Sequence, residues 1–384
     1  MTAGNPLLVR GAIVSVAMIF GLTYSLAAAL IALDLAERGL SEMVIGANAA
    51  MHAVGVLIMA FPLPRLAALL GLKRAVIGAL LAAAVLLCLF PLLPVVWVWF
   101  LLRILLGAAS ETLFVLSETW LNAISSDATR ARTMAAYTAA LSVGFALGPL
   151  ILSWVGSDGF AAYGIGAALS ALAALLVVSP AITSVRFEAP HHANPLRYMR
   201  LAPIAMAATA LNAAVETSGL TFLTLYAMSV GWPESDATQL MACMMFGAIV
   251  LQLPLGWIGD KVDREKLIVV LAAIAAIGAL AWPWALGSPW ATYALLFVWG
   301  GVFVGIYTMM LAIVGSRFSG SDIVGIYAVM GLFWGAGALL GPSLAGIAMQ
   351  GSTHGLVFFI ALACGGFALF AVSTRRRARG LKPS

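Results

Sequence analysis

The chain has 384 residues, of which 63% are hydrophobic and only 9% charged, with a formal net charge of +5. Soluble domains run nearer half apolar and a quarter charged, so this composition excludes an ordinary soluble enzyme or binding domain and marks a membrane protein. At ~20 apolar residues per helical crossing, there is room for about twelve spans and little else.

The alternating polar and apolar period of an outer-membrane barrel is absent, so the spans are helical. In chain order they are expected at 11–33, 43–63, 75–93, 95–118, 133–154, 160–180, 203–229, 237–256, 267–286, 290–314, 323–348 and 355–373. The first apolar run is too long for a signal-peptide core and reads as the first span. It contains Tyr24 and ends near Asp34, expected as a solvated cap on the outer side. The second span carries His52, for which a hydrogen-bonded packing role is expected over titration. Cys88, Cys243 and Cys364 lie far apart in apolar runs, with no spacing for a metal or a disulfide framework.

The fourth span holds two copies of Ser-Glu-Thr, around Glu111 and Glu118, with Arg103 upstream. The span enters from outside near Val95 and descends ~1.5 Å per residue. Arg103 is then about 12 Å in, Glu111 about 24 Å in, and Glu118 about 35 Å along, at the cytoplasmic surface. Seven residues turn a helix about 700°, so the two glutamates share a face within about 20° but not a solvent. Glu118 is expected to pair, for structure or gating, with Arg74, Arg130 or Arg132. Glu111 has no cation at its own depth in the sequence. A charge inside a span is costly and usually turned to a partner or a cavity, so Glu111 is a candidate proton carrier. Glu216, roughly 20 Å into the seventh span beside Asn212, Thr217 and Ser218, meets the same description. Tyr24, Tyr137, Phe222, Trp299 and Tyr307 are candidate pocket aromatics.

All but two of the 20 Lys and Arg fall on one side of these spans or in the tail after Ser373; the exceptions are Arg38 and Arg103. This is the positive-inside pattern with both termini cytoplasmic, and it accounts for the net charge without nucleic acid. The halves also repeat. Gly39–Leu66 aligns with Gly231–Ile258 at an offset of 192, bringing Glu42 onto Glu234 and Tyr24 onto Glu216. The run Gly144–Pro149 aligns with Gly337–Pro342 at an offset of 193. The expected organisation is residues 1–180 as one six-helix bundle, 181–202 as a cytoplasmic linker, and 203–384 as a second bundle with a basic tail. Parallel repeats of this kind build two-domain transporters.

Gly256-Trp-Ile-Gly-Asp260-Lys261-Val-Asp263-Arg264 is similar to the loop signature of the major facilitator superfamily, with Asp263 in place of the usual glycine. The first-half copy keeps Gly71, Lys73 and Arg74 but has Pro64 and Ala68 where glycine and aspartate are usual. Arg103 with Gly107 resembles the family's fourth-span signature, and Gly144, Gly148 and Pro149 its antiporter-type fifth-span motif; Gly341 and Pro342 are the second-half counterparts. The resemblance covers nearly the whole chain. It implies an all-α membrane protein of twelve transmembrane helices, as two parallel six-helix repeats around a central cavity lined by the first, fourth, seventh and tenth spans.

It also implies a proton-coupled secondary transporter rather than an enzyme. The expected proton-coupling residues are Glu111 and Glu216. The expected substrate-binding residues are Arg103, Tyr24, Asn212, Phe222, Trp299 and Tyr307. Glu118, Arg74, Gly256, Asp260, Lys261, Arg264, Gly148, Pro149, Gly341 and Pro342 are expected in gating or structural roles. One arginine and two carboxyls suit export of a cationic or zwitterionic amphipathic solute; the alternative is uptake of an organic anion or sugar. The expected partners are a small solute, protons and the lipid bilayer. The expected setting is a monomer in a bacterial inner membrane, with no cofactor. A membrane enzyme would need a nucleophile–base pair or a metal cluster, and an ATP-driven pump a phosphate loop; neither motif is present.

Overall fold

The computed structural model describes residues 6–125, 127–183, 199, 201–318 and 320–380. Its helices are α1 (Pro6–Glu37), α2 (Glu42–Ala60), α3 (Leu63–Leu70), α4 (Leu72–Leu92), α5 (Val96–Ala123), α6 (Asp127–Val155) and α7 (Ala161–Val178), followed by α8 (Pro203–Ser229), α9 (Glu234–Lys261), α10 (Arg264–Leu280), α11 (Trp282–Ala285), α12 (Pro289–Arg317), α13 (Gly320–Gly351) and α14 (Gly355–Gly380). There is no strand among the described residues.

Each expected span has its helix. By length and composition, 10 are long and apolar enough to cross a membrane. The other two are α8, diluted by Thr209, Asn212, Glu216, Thr217, Ser218, Thr221 and Thr224, and α10, only 17 residues long. The expected ninth span is therefore divided: α10 ends at Leu280 and Pro283 starts the short α11. The segment after the second span, expected as a loop, also forms a helix, α3. Pro62 and Pro64 stop α2 and sit at its start, where a missing N–H costs nothing. Gly71 ends it at φ 77°, a conformation that favours glycine.

The chain divides into two units. The first comprises Met1–Leu40, Met51–His191 and Glu234–Ala242; the second comprises Ser41–Ala50, His192–Pro233 and Cys243–Ser384. Two short segments, Ser41–Ala50 and Glu234–Ala242, are thus grouped with the unit to which their flanking helices do not belong. Within the second unit, the start of α2 lies tight on α13: a Cβ on Gly46 would collide with the Pro342 carbonyl, and one on Gly346 with the Glu42 carbonyl. Within the first unit, the start of α9 is held by Ser157, whose backbone N–H donates to Glu234 Oε1 at 3.0 Å. These are contacts between residues far apart in sequence, which a division by loop length cannot register.

The internal repeat is reproduced contact by contact. A Cβ on Gly144 would collide with the Met18 carbonyl, and one on Gly337 with the Ala210 carbonyl. Gly148 stands likewise against Leu22, and Gly341 against Ala214. Met18 and Leu22 precede Ala210 and Ala214 by 192 residues, so the Gly-x-x-x-Gly faces of α6 and α13 close on equivalent turns of α1 and α8. A second pair behaves alike. Gly107 of α5 meets the His52 carbonyl and Gly55 of α2 the Ile104 carbonyl, while Gly300 meets the Met244 carbonyl and Gly247 the Phe297 carbonyl. Without a hydrophobic driving force between helices in lipid, such small residues are what let backbones pack closely.

Candidate functional site

Polar side chains inside the spans concentrate on α2, α5 and α8. On α5, Arg103 is 3% exposed. Its Nη1 donates a long 3.4 Å bond to the Ala27 carbonyl, and its Nε has no partner among the described residues. Beside it on α2, His52 is 5% exposed, and neither ring nitrogen has a partner among the described residues. The Tyr24 ring of α1 stands edge-on to that imidazole, with centroids 4.9 Å apart and planes at 80°. Asn48, one turn before His52 on α2, is buried with both side-chain polar atoms unpartnered. Sequence reasoning passed over Asn48; its spacing of four residues from His52 was the available signal.

Two turns below Arg103, Glu111 is half-buried and makes no hydrogen bond or ion pair among the described residues. Glu118 lies two turns further, also half-buried. The expected ion pair with Arg74 is not formed: Arg74 is exposed, and Glu118 has no ion-pair partner among the described residues. The side chains of Arg130 and Arg132 lie outside the described residues. What α5 presents at this level is Ser117, which meets the Tyr137 hydroxyl at 3.0 Å. Tyr137 is thereby a packing residue of the α5–α6 contact. In the second unit, Glu216 is half-buried on α8 and accepts a hydrogen bond from Asn212 Nδ2 at 3.0 Å. Its hydroxyl neighbours are not free for it: Thr217, Ser218 and Thr221 donate to carbonyls of their own helix.

The candidate aromatics divide. Tyr24 touches His52 and also Phe20 and Phe145, placing it beside the polar group. Phe222 is fully buried in the second unit, and Tyr307 is half-buried on α12. Trp299 donates its indole N–H to the Ala275 carbonyl at 2.8 Å and stacks its ring on Phe303 at 5.1 Å, so its donor is taken by α10.

The loop between α9 and α10 is an ion-pair network. Arg264 reaches Asp260 at 2.8 Å and donates to the Gly259 carbonyl. Lys261 Nζ sits 3.3 Å from the Trp257 ring centroid. Asp263, where the family signature has glycine, caps α10: its Oδ1 accepts from the N–H groups of Glu265 and Lys266 at 2.9 and 3.2 Å. Its other oxygen takes Arg375 of α14, and Glu265 pairs with Arg317 of α12 at 2.5 Å. Gly256 has open space around it. Pro149 and Pro342 lie inside α6 and α13, one residue past the closely packed Gly148 and Gly341. On the outer side, Asp34 is no solvated cap. It pairs with Arg38 at 2.8 Å and accepts the Tyr163 hydroxyl at 3.1 Å, while Arg38 also lies 4.4 Å from the Trp99 ring centroid.

The comparisons with known proteins agree with this architecture. The model of the Major Facilitator Superfamily matches residues 13–319 and 205–384. An uncharacterized MFS-type transporter, YfkF of Bacillus subtilis (strain 168), is 25% identical over 280 residues, 70% of each chain. A second, Ent638_1421 of Enterobacter sp. (strain 638), is 25% identical over 266 residues, 69% of each. Among solved structures, the nucleoside transporter NupG superposes with a TM-score of 0.74 at 16% identity, covering 100% of both chains. A D-xylose–proton symporter gives 0.74 at 13% identity, over 95% of this chain and 97% of its own. These relatives are transporters rather than enzymes, and with the family model spanning nearly its whole length the chain belongs to the Major Facilitator Superfamily.

Proposed function

We propose that this transporter exports a cationic or zwitterionic amphipathic solute in exchange for protons, with Glu111 and Glu216 as the proton carriers. The observation that carries this reading is Glu111, a half-buried carboxyl inside a span with no partner among the described residues. A carboxylate left alone at membrane depth is expensive, whereas a carboxyl that takes up and releases a proton as its surroundings change is not. Glu216 has only the neutral amide of Asn212, which accommodates either form. The basic residues on one face support an inner-membrane orientation with both termini in the cytoplasm.

The test is flux in proteoliposomes, with ethidium as a fluorescent amphipathic cation. Glu111→Gln should abolish pH-gradient-driven accumulation while leaving exchange at equal pH measurable. Undiminished gradient-driven accumulation in that variant refutes the coupling role. The second reading is proton-coupled uptake of an organic anion or sugar, favoured by the buried charge of Arg103. A D-xylose–proton symporter shares the fold, but at 13% identity it lends no solute. Loss of organic-anion flux in Arg103→Ala with ethidium flux retained would select this second reading.

A further inference from the structure

The geometry points to Arg103 and His52 as a carboxylate-binding pocket inside the first unit, which takes the acidic group of the transported solute. The inference rests on the transport reading above and narrows its solute to the zwitterionic half of that class, the half that bears an acid.

The two side chains are 3% and 5% exposed, yet Arg103 Nε and both His52 ring nitrogens have no partner among the described residues. Buried polar groups are normally hydrogen-bonded, and a buried guanidinium without an anion is costlier than either group alone. Among the described residues no carboxylate fills the role. Glu111 is about 12 Å further along α5. Asp34, on α1, is engaged by Arg38 and Tyr163.

Packing does not demand the polarity either. The second unit makes the same backbone contact, Gly300 on Met244 and Gly247 on Phe297, where the first has Gly107 on His52 and Gly55 on Ile104. At the positions matching His52 and Arg103 it carries Met244 and Leu296, both buried and apolar. The helix pair therefore forms without a charge, and only the first unit has one. A guanidinium is a fork of donors with no acceptor, and a neutral imidazole adds one further donor. Their shared complement is a planar oxyanion that takes two parallel N–H bonds, which is a carboxylate. The close approach of α2 and α5 at Gly55 and Gly107 holds together the two backbones from which these side chains project, which lowers the ordering cost of binding.

The test is thermal unfolding of the full-length protein in detergent at fixed ionic strength, with sodium benzoate, benzamide or sodium chloride. Benzoate should raise the midpoint by about 3 °C over chloride, and benzamide should not. The double variant His52→Met with Arg103→Leu borrows the second unit's own residues, so it should fold and lose the benzoate shift. Arg103→Lys should keep part of it. An equal shift with benzamide or chloride, no shift with benzoate, or a shift surviving in the double variant overturns the pocket. The shift should persist in Glu111→Gln. A protein whose Glu111→Gln variant keeps gradient-driven flux but whose wild type shows the benzoate shift has lost the coupling reading alone. The opposite pattern removes this pocket alone.

Discussion

Ser-Glu-Thr occurs twice on one face of α5, and the helix gives the copies different work. Glu111 stands without a partner among the described residues, whereas the second copy contributes Ser117 to the Tyr137 contact with α6. Depth along the helix was legible in the sequence because rise per residue is fixed. Side-chain facing was not, because a span that is apolar all round carries almost no directional signal. That is why the sequence does not show that Trp299 spends its indole N–H on the Ala275 carbonyl. Glycines separate more cleanly once backbones are placed. A side chain on Gly107 would drive into the His52 carbonyl, whereas Gly78 of α4 faces open space. Gly107→Val should destabilise by about 1–3 kcal/mol through overpacking. Gly78→Ala should be neutral or stabilise by up to ~1 kcal/mol, the helix-propensity gain. Thermal unfolding of both variants in the same detergent checks the contrast, and equal midpoints would mean that the α2–α5 contact does not hold the fold.

At the scale of elements, the departures from the family's loop signature have local causes. Asp263 replaces a glycine and becomes the cap of α10 and the anchor of Arg375. Burial pushes its carboxyl up, but the N–H of Lys266, the Arg375 guanidinium and the N–H of Glu265 outweigh this and hold it below its ordinary 3.8. A group whose folded value is depressed stabilises above the unfolded value and stops doing so as pH falls through the folded one. Stability from Asp263 is thus present at pH 5–7, where about 4 marks the unfolded carboxyl, and fades on acidification below it. Asp263→Ala should cost about 1 kcal/mol at pH 7 from the lost cap, and the difference from wild type should shrink by pH 3 in thermal scans. In the first half, the loop that lacks the usual aspartate uses its lysine elsewhere. Lys73 Nζ donates to the carbonyls of Ser179 and Ile182, each at 2.8 Å, and ties down the end of α7. Lys73→Met should therefore destabilise by about 1–3 kcal/mol, more than Arg74→Met, whose side chain is exposed. The sequence showed that the motif was degenerate; what its lysine does instead depends on a residue more than a hundred positions away.

At the scale of the molecule, the duplication and the charge asymmetry were legible because both are patterns of residue type along the chain. The matched glycine contacts of α6 with α1 and α13 with α8 show that the offset of 192–193 is structural as well as textual. The assignment of Ser41–Ala50 and Glu234–Ala242 to units other than those of their flanking helices was not legible, since it consists of long-range contacts alone. Charge asymmetry also makes a claim about orientation. Asp158, exposed between α6 and α7, belongs on the outer side, and Arg317, exposed at the end of α12, on the cytoplasmic side. The three native cysteines are half-buried or buried within helices, and replacing them with alanine leaves a clean background. In that background a membrane-impermeant maleimide should label Asp158→Cys in intact spheroplasts, and Arg317→Cys only after permeabilisation. The reverse pattern would invert the protein and place the basic loops outside, against the rule that sets topology. Labelling of both from outside would require an even number of crossings between α7 and α12 instead of the five supplied by α7, α8, α9, α10 with α11, and α12. Because α8 and the divided α10–α11 are the two that fall short in apolarity or length, this measurement tests whether one of them fails to cross while the other does.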